Sequence, residues 1–140
     1  MQQKTSELLV VTKAKELCAY VITATQKSPK QFRFTFVTRM QNLALDIIEQ
    51  IYRANEEFIG PGGSAAARQQ RLDFQHGALT NCRLLAYISE LALTQQCILP
   101  KQYAQIALLT TNCQRLLGAW LNSDKKRTSS AAARGEPALQ

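Results

Sequence analysis

Groups from which catalytic sites are built are scarce in this chain. Its 140 residues include one histidine, one tryptophan and four cysteines. His76 has neither Glu nor a second His at the i+4 spacing of a helical metal site. Cys18, Cys82, Cys97 and Cys113 stand far apart in apolar surroundings, without the CxxC spacing of a zinc site or redox pair. They read as reduced, buried thiols of a cytoplasmic protein. Carboxylates are also few, 10 Asp+Glu against 17 Lys+Arg, a net charge of +7. Most sit near a basic residue at helical spacing: Glu16 near Lys13, Glu49 and Glu57 around Arg53. Asp46 and Glu49 face away from the apolar stripe of their segment and are expected in water. Gly60-Pro61-Gly62-Gly63 lacks the Lys-Ser/Thr ending of a phosphate-cradling loop and follows no strand. No enzyme, metal or cofactor is expected.

Long apolar runs are missing too. The longest purely aliphatic stretch, Leu8 to Val11, is far short of the roughly 20 residues that span a bilayer. A membrane span and a signal peptide are therefore not expected. What is present is enough apolar residue, 46%, to bury the core of one small domain.

Prolines at 29, 61 and 100 divide the chain into long segments whose apolar residues recur at helical spacing. The spacing predicts a first helix over 6–26, with Val10, Ala14, Leu17, Cys18, Val21, Ile22 and Thr25 on one side. A second, over 35–57, carries Phe36, Met40, Leu43, Ile47, Ile51 and Ala54 inward, with Glu49 and Arg53 as an i,i+4 pair on its other face. A third, over 64–95, starts at the N-cap Ser64 and is long enough that it must project past its neighbours or bend near Gly77. A fourth, over 100–122, has Pro100 at its first position and turns Ile106, Leu109, Cys113, Leu116, Leu117, Trp120 and Leu121 inward. The fold class is all-α, an up-down-up-down four-helix bundle over 1–122. Residues 123–140 turn polar and low in complexity, with Lys125-Lys126-Arg127, and are expected to form a basic, flexible tail able to add nucleic-acid contacts. Leu45, Tyr52, Leu93 and Leu108 fall on outward faces.

Between Ala19 and Leu45 there is no acidic residue, yet Lys27, Lys30, Arg33 and Arg39 all lie there. Such a patch suits phosphates, with binding that weakens as salt rises. Phe32, Phe34 and Phe36 alternate with Arg33 and Thr35. They suit a short strand, rings that stack on bases, or rings that close the end of a core. Ser28-Pro29 allows a helical turn to begin there rather than at Thr35. Arg68, Arg71 and Arg83 on the third helix span a broad arc and also read as ordinary solvated arginines.

The stretch Lys27-Ser28-Pro29-Lys30-Gln31-Phe32-Arg33-Phe34-Thr35, then Arg39-Met40-Gln41-Asn42-Leu43-Ala44 and 47–55, resembles the accessory variability determinant (Avd) family of diversity-generating retroelements. Residues 71–93, Pro100-Lys101-Gln102-Tyr103 and Gly118-Ala119-Trp120-Leu121-Asn122-Ser123 are similar to that family's later helices, so the likeness covers Glu7 to Ser123. The family lies within a wider group of four-helix bundles that includes the S23-like ribosomal proteins. The resemblance implies a non-catalytic partner of a retroelement reverse transcriptase, assembled as a homopentameric barrel. Through a basic surface it would contact template RNA and cDNA hybrids. It places polymerase or nucleic-acid contacts first on Lys27, Lys30 and Arg33, inside the matched motif, then on Arg39, Arg53, Arg68, Arg71 and Arg83. A structural interaction bundle of the S23-like type, without a polymerase partner, is the alternative.

Overall fold

The computed structural model describes residues 2–57 and 59–133, with side chains described over 9–57 and 59–129. Four α-helices make up most of it: α1 Gln2–Thr25, α2 Thr38–Glu56, α3 Ala65–Thr94 and α4 Pro100–Ala133. No strand occurs among the described residues. α1 packs on α2 and α4, and α3 packs on the same two, so the helices form a ring of neighbours. Short connections make successive helices antiparallel. The ends of α1 and α3 therefore lie beside the starts of α2 and α4. No helix among the described residues is long and apolar enough to cross a membrane.

The apolar stripes face one another in a single core. Leu17, Met40, Ile47, Ile51, Leu85, Ile106 and Leu117 are all fully buried, as is the indole of Trp120 at 2% exposure. All four cysteines are free and buried. The periodicity also placed the outward residues: Lys13 reaches Glu16 at 3.4 Å, and Arg53 Nε donates to Glu49 Oε2 at 2.9 Å. Asp46 and Glu49 are exposed. Leu93 is a correction, because it is half-buried against the core, whereas Leu45, Tyr52 and Leu108 are exposed.

The helix ends follow local chemistry. Ser64 Oγ accepts from the Ala67 N–H at 3.0 Å, and Pro100 opens α4, where a missing N–H costs nothing. α3 closes through Gln96 at φ 65°, with the Cys97 N–H donating to Ala92 O at 2.8 Å. Gly77 is a contact point. A Cβ placed there would lie 1.9 Å from Gln50 Oε1, so its bare backbone lets the Gln50 side chain of α2 lie against α3.

The fourth helix differs most from expectation. It does not stop at 122 but continues through Ala133, and its extension is anchored in the bundle. Asp124, 3% exposed, accepts from Arg71 Nε at 2.5 Å and from Gln75 Nε2 at 2.7 Å. Arg127 also donates to Asp124, and the Arg71 guanidinium lies 5.0 Å from the Trp120 ring centre. A carboxylate this deep needs such partners, and they pin residues 124–127. The tail expected from 123 onward is thus helix as far as 133. Its remainder, 134–140, lies outside the described residues.

Candidate nucleic-acid interface

The segment between α1 and α2 winds without entering a strand. After Pro29 a 3-10 turn spans Lys30–Phe32, and a π-helical turn, Arg33–Val37, runs directly into α2. The Thr38 N–H donates to Arg33 O, five residues back, and the Thr38 hydroxyl donates to the same carbonyl at 2.5 Å. Wide turns of this kind are frequent at functional sites. Of the three readings open for the phenylalanines, the strand is excluded. Phe32 and Phe36 are half-buried, with ring centres 5.7 Å apart, and close the end of the core. Phe34 points away from them and is 86% exposed.

The winding also brings the basic residues together. Lys27, Lys30 and Arg33 line one open cleft of about 400 Å³, with Thr25, Gln26, Ser28, Pro29, Val37 and Gln41. No carboxylate lines it. Among the described residues, none of these three cations makes an ion pair. Their charge is therefore directed at solvent. The floor is fixed by hydrogen bonds: Gln41 Nε2 donates to Thr25 Oγ1 at 2.9 Å, and Thr25 Oγ1 donates to Val21 O at 2.7 Å. From α4, Gln102 Nε2 donates to Ala24 O at 3.2 Å, so three helices hold one wall. Cations on a rigid floor, with amides and hydroxyls between them, can hold phosphate oxygens.

The other expected contacts divide. Arg39 and Arg83 are exposed but line no part of this cleft. Arg53 is paired with Glu49 and borders a shallow groove between α2 and α3 that it shares with Glu49, Glu56 and Glu57. That acidic setting is a poor one for a polyanion. Arg68 and Arg71 are corrections, at 8% and 3% exposure. Arg71 neutralises Asp124 inside the bundle and presents no surface charge. The acidic partner sits 53 residues away in sequence, which helical spacing within α3 could not reveal. Thr25 and Gln41 were missed as site residues: Thr25 falls on the inward side of the first helix by its spacing, and Gln41, within the matched stretch, is given no role of its own.

His76 is exposed, and no group of three or more His, Cys, Asp or Glu among the described residues could hold a metal. Burial pushes every thiol up from its ordinary value. Cys113, with Glu16 adding to the effect, is raised to about 11, and Cys82 rises further. Compared with family models, with curated proteins and with solved structures, the chain finds no match.

Proposed function

We propose that this chain is a non-catalytic accessory subunit of a diversity-generating retroelement. It binds the reverse transcriptase and template RNA or cDNA hybrids, assembles as a homopentamer and supports mutagenic cDNA synthesis. The resemblance over 7–123 supplies the polymerase partner and the assembly. The observation that carries the nucleic-acid part is the cleft, where the three basic residues of the matched motif converge with no carboxylate among them. A polyanion gains there by releasing counterions, so its affinity depends on salt.

The test is RNA binding across a salt series. Replacing Lys27, Lys30 and Arg33 together by Gln is expected to weaken binding at low salt. The log–log salt slope should also fall, by about 2, at roughly 0.7 per phosphate contact on a single strand. An unchanged slope would remove the cleft from the reading. Co-purification with a tagged retroelement reverse transcriptase after nuclease treatment tests the partner, and light scattering tests the assembly. The rival reading, an S23-like interaction bundle, draws on the exposed Leu45, Tyr52 and Leu108. It predicts a stable complex with some other protein and no complex with the polymerase.

A further inference from the structure

Phe34, at 86% exposure, is the most exposed of the large apolar side chains among the described residues. Its helical turn explains why it cannot be buried. Phe32 and Phe36, four residues apart, take the inward positions and pack on each other, which forces the residue between them outward. Its neighbours along the turn, Lys30, Gln31, Arg33 and Thr35, are all polar and exposed. Lys30 is one helical turn before it and Arg33 adjoins it, and both line the phosphate-suited cleft.

An exposed ring flanked along the chain by cations is an arrangement that single-stranded nucleic acid uses, with bases stacking on the ring while phosphates follow the charge. A protein anchor would be ringed by groups that exclude water, whereas the chain on either side of Phe34 is polar and exposed. We propose that Phe34 is a stacking platform for an unpaired base of single-stranded RNA whose phosphates occupy the Lys27–Lys30–Arg33 cleft. This rests on the RNA-binding reading above and narrows it. Bases inside a duplex are stacked on both faces and only its two end pairs offer a free one, so the ring confers a preference for unpaired strands that charge alone lacks.

The test uses the full chain with a short oligouridylate and a blunt RNA duplex of equal length. Phe34→Leu is expected to weaken the single strand by roughly 5- to 150-fold, the range for losing one stacked base. The salt slope and duplex affinity should stay unchanged. Phe34→Trp is expected to retain affinity and to be quenched on binding, against the buried Trp120 as a constant background. The ring's exposure means that neither variant should alter thermal stability, which a melt checks. Equal affinities of Phe34→Leu and the natural chain for the oligouridylate, or no quenching, would overturn the platform. So would loss of reverse transcriptase binding with RNA binding intact, which would make Phe34 a protein anchor. If Phe34→Leu has no effect but the triple Gln variant still loses affinity and slope, the platform alone fails. If the triple variant changes nothing, the RNA reading fails with it.

Discussion

Asp124 accepts from two arginines and a glutamine at a depth where water cannot help, so its partners are coupled to its charge. Removing the carboxylate leaves Arg71 a buried cation beside Trp120. Asp124→Ala is expected to cost about 3–5 kcal/mol in urea unfolding, because breaking a buried pair on one side is worse than never building it. The double variant R71M/D124L should recover the part of that loss that the buried Arg71 charge causes, while the buried Gln75 amide loses its Asp124 partner in both variants. A cost below about 1 kcal/mol for Asp124→Ala would mean that water reaches the pair and relieves it. At this scale the sequence was legible where a residue's role depends on its own helix. The inward set of α1, α2 and α4 is buried or half-buried as the spacing requires. Arg71 was illegible because its role depends on a residue of another helix.

Elements were legible in their starts more than in their ends. Ser64 and Pro100 begin α3 and α4 by chemistry contained within the first turn. The end of α4 could not be read in the same way. Ser123 to Ser130 is polar throughout, and only its packing on α3 shows that part of it is structural. The turn from Lys30 to Val37 also departs from regular geometry, and its period matches neither strand nor α-helix. Between α2 and α3 the close point is Gly77 against Gln50. Alanine has a helix propensity about 1 kcal/mol better than glycine, but its Cβ would displace the Gln50 amide. Gly77→Ala is therefore expected to stabilise by about 1 kcal/mol on a Gln50→Ala background and by clearly less on the natural one. Equal gains in the two backgrounds, measured by chemical unfolding, would show that Gln50 moves aside freely.

For the whole molecule, the balance of charge and the burial of thiols both depend on how the helices assemble. Basic side chains gather at the end where α1 gives way to α2, while Glu49, Glu56 and Glu57 border a groove between α2 and α3. The thiols make stability pH-dependent in a definite sense. A folded thiol held near 11, as at Cys113, keeps its proton when an unfolded one at the ordinary 9.0 has lost it. Proton binding thus favours the folded state, and this contribution is complete below about pH 9 and lost between there and about pH 11. Each such thiol should steepen the alkaline fall in stability by up to about 1.4 kcal/mol per pH unit. A Cys82→Ala/Cys113→Ala chain is expected to show a shallower fall than the natural chain across that window. Parallel curves would mean that the buried thiols ionise without unfolding.

The sequence by itself determined the helix class, the inward faces and the crowding of positive charge between the first two helices. These depend on spacing along one chain, and a 3.6-residue apolar period has one way to leave water. Tertiary structure decided which charges remain outside. It drew Arg71 into the bundle to meet Asp124, set Lys27, Lys30 and Arg33 around one cleft, and left Phe34 in solvent while burying much of Phe32 and Phe36. The Arg71–Asp124 pair depends on residues that meet only when the helices pack, whereas the cleft and the exposure of Phe34 depend on the irregular winding between α1 and α2, whose period no regular spacing announces.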